Sequence, residues 1–326
     1  MQYPRGYYTN LIINNISEYN DFQYSFDYIS VITITTAIYS ILSFGITLKM
    51  CWIYQKLGNN VRGYGLHPIV FKLFLYMQLW STGYIVTDFV IIRIPSTTII
   101  TKYCYRFPHL EYFMGGQFLT YYASQFYTLM FCFVRFFIVW SPRHHEDICE
   151  TTSKIFTPLS LMLSIIISIP ISISEGLCVQ LDEPYQFGAV VINCTAVYKN
   201  QITTISHVTG SSIIIFIIFL LSTYMLCKLR EHTEIVSTRS KERRKAEKTL
   251  SVTMFLIFIP LVLSLSMRAL DITRSPYYPY VMISRPLFVD TRVNVVSLYF
   301  YMTHPIFKKP KNKTSTVTII KSISEH

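Results

Sequence analysis

At residues 211–219 the chain reads SSIIIFIIF, and this stretch decides the class of the protein. It lies inside a longer run, 200–227, that contains no Asp, Glu, Lys or Arg. A helix of about 20 apolar residues crosses the roughly 30 Å of hydrocarbon in a bilayer. A transmembrane β-strand would alternate polar and apolar residues, and this stretch does not alternate. The run therefore predicts a membrane-spanning helix.

Six other stretches extend this pattern along the chain. Only 14% of the 326 residues are charged, whereas soluble domains carry about 25%. We predict an all-α membrane protein, a bundle of seven transmembrane helices. The charge-free spans are 28–48, 112–134, 155–174, 200–227 and 249–267; span two, 73–92, is interrupted by Asp88, and span seven, 281–303, by Arg285, Asp290 and Arg292.

The Lys and Arg residues lie unevenly on the two sides of the predicted bundle. Seven are on the side of the N-terminus, twenty are on the opposite side, and two are inside span seven. Basic residues accumulate on the cytosolic side of membrane proteins. We therefore expect an extracellular N-terminal tail at 1–27, a seven-helix domain at 28–304 and a cytosolic basic tail at 305–326. The net charge of +11 then faces the inner leaflet and needs no nucleic acid partner.

Three cysteines fall on the predicted outer side, where disulfides can form. A bond between Cys104 and Cys178 would tie the second outer loop to the start of span three. Pairing with Cys194, or free thiols, are the alternatives. Two glycosylation sequons, at Asn15 and Asn193, lie on the same side.

Three segments of the chain resemble one receptor family. They are RIPST at 93–97 followed by Cys104, the segment 178–189 with PYQFGA after its cysteine, and the segment 285–307, which begins with Arg-Pro and ends in THPIF. In these segments, and in its length and span order, the chain resembles the nematode serpentine chemoreceptors of class U, within the broader architecture of G-protein-coupled receptors.

This resemblance implies a chemosensory receptor that binds a small molecule and couples to a heterotrimeric G protein. It also implies a place in the plasma membrane, and by family a sensory cilium. The chain departs from the largest receptor class at two points. Span three ends in FVRFF (133–137) without the acidic–Arg–Tyr triplet, and span seven ends in THPIF (303–307) instead of Asn-Pro-x-x-Tyr. The activation switches of that class therefore do not transfer directly.

Polar and aromatic residues in the outer halves of spans two and three are candidates for a ligand pocket. Such pockets are mostly apolar and aromatic with a few polar groups. Ordinary packing and aromatic belts at the membrane interface explain any single Tyr equally well. The candidates are Tyr84, Asp88, Tyr121, Tyr122 and Gln125.

Ionisable residues inside the spans are candidates for a conformational switch, or for structural pairs between helices. Asp290 and Asn294 are four residues apart and share a helix face, whereas Arg292 does not face Asp290. We therefore expect both Asp290 and Arg292 to find partners on other helices. Arg135 comes at the inner end of span three. It could hold a closed state, contact a G protein or reach lipid phosphates.

The sequence disfavours an enzyme. It has no Gly-rich phosphate loop, HExxH or GxSxG motif. His144, His145 and Cys149 do not have the spacing of a zinc site, and we expect neither a metal nor a cofactor. The alternative to a receptor is a ligand-gated channel or transporter of seven helices. Inverted repeats and paired broken spans, which are typical of transporters, are not evident in the sequence.

Overall fold

A computed structural model describes the predicted helices and most of the loops that join them. Asn15, His144, residues 1–11 of the N-terminal tail and residues 308–326 of the basic tail lie outside the described residues. The described residues are 12–13, 16–19, 21–58, 61, 66–106, 109–141, 145–198, 201–235, 241–273, 275 and 277–307.

Each predicted span forms a helix that is longer than its apolar run. The helices are α1 Tyr28–Leu57, α2 Pro68–Asp88, α3 Leu110–Trp140, α4 His145–Ser172, α5 Gln201–Ile235, α6 Lys241–Ile272 and α7 Tyr278–Thr303. The added turns carry the polar residues that flank the apolar runs. At the start of α1, Oδ1 of Asp27 accepts a hydrogen bond from the backbone N–H of Ser30 (2.9 Å), which caps the helix.

Six of the helices in the described part of the chain are long and apolar enough to cross a membrane. The exception, α7, contains Arg285, Asp290 and Arg292, which lower its hydropathy. These side chains are buried or nearly so within the bundle. Since every charge in α7 turns away from the hydrocarbon, its composition agrees with a seventh membrane helix.

The C-terminal end of α2 departs from regular α-helix. A π-helical turn, Phe89–Arg93, follows Asp88 directly, and a short α-helical turn, Ile94–Ser96, completes the element. A π turn holds an extra residue and so rotates the side chains that follow it. The Arg93 side chain is buried here and reaches α7.

The loop between α4 and α5 forms a β-hairpin, which the prediction of an all-α fold did not include. Strands β1 (Gly176–Gln180) and β2 (Val190–Cys194) pair antiparallel. A side chain at Gly176 would place its Cβ only 2.6 Å from Cβ of Leu110, so glycine lets the hairpin pack closely on α3. The residues of β2, Val-Val-Ile-Asn-Cys, suit a strand. We had treated this segment only as a loop between two spans.

Helices α2 and α3 form the centre of the bundle. Within their membrane spans 61% and 56% of the residues are buried, against 22% for each of α1, α4 and α5. Apolar side chains such as Ile38, Ile41 and Leu42 on α1 are exposed on the outer surface of the bundle, where lipid would cover them. The buried side chains form one cluster around the N-terminal half of α2 and another under the hairpin.

Candidate ligand cavity and buried ion network

A cavity of about 200 Å³ lies among α2, α3, α5, α6, α7 and the hairpin. An engineered cavity of about 150 Å³ in another protein is large enough to bind benzene, so this cavity has room for a small organic molecule. Its walls combine apolar and aromatic surface with a few polar groups, as in many ligand sites. They include Met114, Phe118, Val208, Met267 and Met282, and the polar residues Tyr84, Gln117, Asp182, Asn193, His207 and Arg285.

The hairpin forms one wall of this cavity and is held in place by hydrogen bonds. Oε1 of Gln180 accepts from the hydroxyl of Tyr19 (3.1 Å) and from the N–H of Gly188 (3.0 Å). Nε2 of the same side chain donates to the carbonyl of Leu181 (2.8 Å). Because both ends of the Gln180 amide have hydrogen-bond partners within the protein, this side chain holds the hairpin wall of the cavity in place. Next to it, burial raises the pKa of the Asp182 carboxyl above its usual range.

Two cysteines tie the hairpin to the bundle. Cys104, in the turn before α3, forms a disulfide bond with Cys178 of β1. The backbone N–H of Ile13 also donates to the carbonyl of Cys178 (3.0 Å). Cys194 ends β2 as a buried free thiol. Of the alternatives that the sequence left open, the structure therefore contains the Cys104–Cys178 pair.

A buried network of two arginines and two aspartates joins α2 to α7 beside the cavity. Nε of Arg93 lies 2.8 Å from Oδ2 of Asp88. The Nη1 and Nη2 atoms of Arg93 donate to the two carboxylate oxygens of Asp290, at 2.8 and 2.6 Å. Nη2 of Arg285 lies 2.7 Å from Oδ1 of Asp88. The two hydrogen bonds from Arg93 to Asp290 offset part of the free-energy cost of burying these charges.

Helix α1 also contributes to this network. The hydroxyl of Tyr39 donates to Oδ2 of Asp290 (2.7 Å), and Oγ of Ser40 lies 3.5 Å from the same oxygen. Asp290 therefore has its partner on another helix, as we expected, and that partner is Arg93. The Asn294 amide makes no hydrogen bond within the described residues, so Asn294 does not hold Asp290 although the two share a face of α7.

Arg285 belongs to both the network and the cavity wall. Its Nη2 donates to the hydroxyl of Tyr84 (2.8 Å), another wall residue. Its Nε is buried without a hydrogen-bond partner among the described residues. A displacement of the cavity wall can therefore be transmitted to the ion pairs through the Arg285 side chain.

Arg292 lies apart from this network, although it is only two residues from Asp290. Its Nη2 donates to the carbonyl of Ser124 (2.9 Å) and to the hydroxyl of Thr128, both on α3. Among the described residues no carboxylate pairs with it. Arg292 does find another helix, as predicted, but it binds neutral oxygens there.

The five predicted pocket residues do not lie together. Tyr84 is in the cavity wall, whereas Asp88 is fully buried in the ion network and borders only a separate space of about 20 Å³. Tyr121 contacts the ring of Tyr84 (centroids 5.4 Å apart), and Tyr122 hydrogen-bonds Nδ1 of His207 (2.7 Å). These two tyrosines support wall residues without lining the cavity. The Gln125 amide is buried and makes no hydrogen bond within the described chain.

Arg135 is buried near the C-terminal end of α3. Its Nη1 donates to the backbone carbonyl of Leu250 on α6 (2.9 Å), and its guanidinium carbon lies 5.8 Å from the centre of the Phe131 ring. This residue is only 6% exposed, and its hydrogen bond links the C-terminal part of α3 to the N-terminal part of α6.

Two features of the site were missed from the sequence. Asn193, predicted as a glycosylation site, is half-buried in the cavity wall, and its Oδ1 accepts from the N–H of Cys194 (2.8 Å). Gln117 and His207 also line the cavity. Both lie in charge-free spans, 112–134 and 200–227, and a large hydrogen-bonding side chain within such a span was the available signal for them.

The comparisons with known proteins agree with this architecture. A family model described as "Serpentine type 7TM GPCR chemoreceptor Sru" matches residues 13–310. The chain is also 22% identical over 220 residues to "Serpentine receptor class U-26" of Caenorhabditis elegans, covering 64% of this chain and 72% of that protein.

Proposed function

We propose that this chain, which belongs to the Sru family of serpentine seven-transmembrane chemoreceptors, detects a small molecule in the outer half of its bundle and signals to a heterotrimeric G protein. The observation that carries the proposal is the cavity under the tied hairpin. It is enclosed by five helices and has the size and mixed lining of a small-molecule site. Binding there can bias the packing of the helices around it.

The proposed orientation has the N-terminal tail, 1–27, and the cavity outside the cell. The seven-helix domain, 28–304, crosses the plasma membrane, and the basic tail, 305–326, lies in the cytosol. The distribution of basic residues supports this orientation. By resemblance to the family, the sensory cilium is the proposed place of action.

The proposed transmission runs from the cavity through Arg285 to the ion pairs of α2 and α7. Arg285 contacts both Tyr84 in the cavity wall and Asp88 in the network. At the inner end, the hydrogen bond from Arg135 to Leu250 favours the resting packing of α3 on α6. A two-state change in such buried contacts is a recognised form of receptor switch.

Purified protein in liposomes tests this function against its alternative, a ligand-gated channel or transporter. Fractionated small molecules are added in two parallel assays, one for nucleotide exchange on added G protein and one for ion or solute flux. We expect an active fraction to accelerate exchange without flux. Flux without exchange would contradict the receptor function and favour a channel or transporter.

A further inference from the structure

We propose that the ligand of the cavity is a small monoanion, a carboxylate on a compact apolar body, bound by Arg285 and Gln117. This inference rests on the proposed function only for the role of the cavity. Its test is a binding measurement that needs no G protein.

The first argument is the charge of the buried groups. Helices α2 and α7 bury two carboxylates, Asp88 and Asp290, among the described residues. Against these stand three guanidinium groups, those of Arg93, Arg285 and Arg292. The ion pairs account for two of the arginines, and Arg292 binds only neutral oxygens. Arg292 does not line the cavity, whereas Arg285 does. Among the described residues Arg285 has one carboxylate partner, Asp88, which it shares with Arg93, so Arg285 is the cation that an anionic ligand can reach and help to balance.

The second argument is the hydrogen-bonding capacity left in the cavity wall. Nε of Arg285 and Nε2 of Gln117 are buried and have no partner among the described residues. Gln117 is only 8% exposed, and both side chains line the cavity. Gln180, by contrast, has both ends of its amide occupied. The unpaired atoms are donors that lie just behind the cavity surface, so the matching ligand group is an acceptor toward which these side chains turn, and a carboxylate is the strongest match for a guanidinium.

The third argument concerns the size and polarity of the rest of the ligand. Opposite these donors the wall is apolar and aromatic, with Met114, Phe118 and Met282. The volume of about 200 Å³ accommodates a six-membered ring with its carboxylate, since about 150 Å³ holds benzene. Asp182 is the one carboxylate among the described wall residues. Asp182 is half-buried. A cationic ligand attracted to Asp182 would also be repelled by Arg285, because both residues line the same cavity.

Three matched sets of probes test this proposal: the carboxylate, the amide and the methylamine built on a cyclohexyl, a phenyl and a pentyl group. The thermal unfolding of the purified receptor in nanodiscs is followed as each probe is titrated, since a ligand of the native state raises the midpoint. At least one carboxylate should bind about tenfold or more tightly than its amide, the gain expected of a charged acceptor. Equal binding of acid and amide, preference for the amine, or no carboxylate binding would each overturn the proposal.

Substitutions on α3 test where the ligand carboxylate binds in the cavity. Gln117→Met keeps the volume and removes the donor, and should weaken carboxylate binding about tenfold with less effect on the amide. Thr120→Val is the matched control on the same helix, because among the described residues the Thr120 hydroxyl bonds only carbonyls of its own helix and the hydroxyl of Thr87. An unchanged carboxylate affinity in Gln117→Met would remove Gln117 from the site. Carboxylate binding without any G-protein response would refute the proposed function and leave this inference standing.

Discussion

Asp290 shows how a carboxylate is held near the middle of a helix bundle. Arg93 donates two hydrogen bonds to it, and Tyr39 donates a third. These donors replace the water that the carboxylate loses on burial. Arg93 in turn keeps Asp88 as a second partner. The four charged groups of the network therefore act as one unit, and a change in one of them alters the others.

Replacing Asp290 by asparagine should test whether this unit separates the resting and signalling packings. Asp290→Asn keeps the shape, removes one charge and leaves Arg93 only Asp88, which it shares with Arg285. We expect the variant to reach the cell surface, to lose roughly 3 kcal/mol of stability as a broken buried pair does, and to show higher basal signalling. Stability and basal nucleotide exchange are measured on the same purified protein.

The double variant Asp290→Asn/Arg93→Gln is the control for this change. Residues that interact directly have non-additive effects, so its loss of stability should be smaller than the two single losses combined. Additive losses would mean that the pair does not interact. Unchanged surface level, basal activity and ligand response in Asp290→Asn would refute the proposed charged switch.

At the scale of elements, the hairpin depends on its link to the start of α3. β1 carries Cys178 at its centre, and the partner Cys104 lies in the turn before α3. The hairpin contributes a wall of the cavity. Loss of the link should therefore loosen the cavity as well as the loop.

Cys104→Ser and Cys178→Ser should each destabilise the protein by about 2 to 5 kcal/mol. The double variant should lose no more than either single variant, because both changes remove the same bond. Cys227→Ser, an exposed thiol in α5, is the control. Peptide mapping without reduction should recover the Cys104–Cys178 pair, and a Cys104–Cys194 peptide would show that the wrong loop cysteine had been chosen.

The contact between α3 and α6 gives a second prediction at this scale. Arg135→Met removes the hydrogen bond to the Leu250 carbonyl while keeping an apolar stem. A hydrogen bond from a charged group contributes about 1.5 to 3 kcal/mol, so basal nucleotide exchange should rise about tenfold or more. Lys154→Met, which removes an exposed cation paired with Glu150, should change little. A fall in exchange at unchanged stability would instead identify Arg135 as a contact for the G protein.

At the scale of the whole molecule, the proposed orientation follows from the distribution of basic residues. With twenty basic residues on one side and seven on the other, an epitope tag at residue 1 should stain on intact cells. A tag at residue 326 should stain only after permeabilisation. If surface-expressed protein showed the N-terminal tag only after permeabilisation, the proposed orientation would be reversed.

The sequence by itself determined the class of the protein, its helices and their order. These features depend on local hydropathy, which a run such as 211–219 expresses without reference to any other part of the chain. Even α7, the least apolar helix, was placed at 281–303 against the observed Tyr278–Thr303. The need for a partner of Asp290 also followed from the sequence, because a buried carboxylate is costly wherever its helix lies.

Only the tertiary structure decided which groups meet. Arg93 and Asp290 are 197 residues apart, and their contact depends on the rotation of α7 and on the π turn at the end of α2. The sequence does not encode that rotation, since Asp290 does not share a helix face with Arg285 and Arg292 and the charges of α7 form no single polar stripe that would orient it. For the same reason we predicted Tyr121 and Tyr122 as pocket residues, although they lie behind the cavity wall. We overlooked Gln117, which lines the cavity one helical turn before Tyr121 on α3.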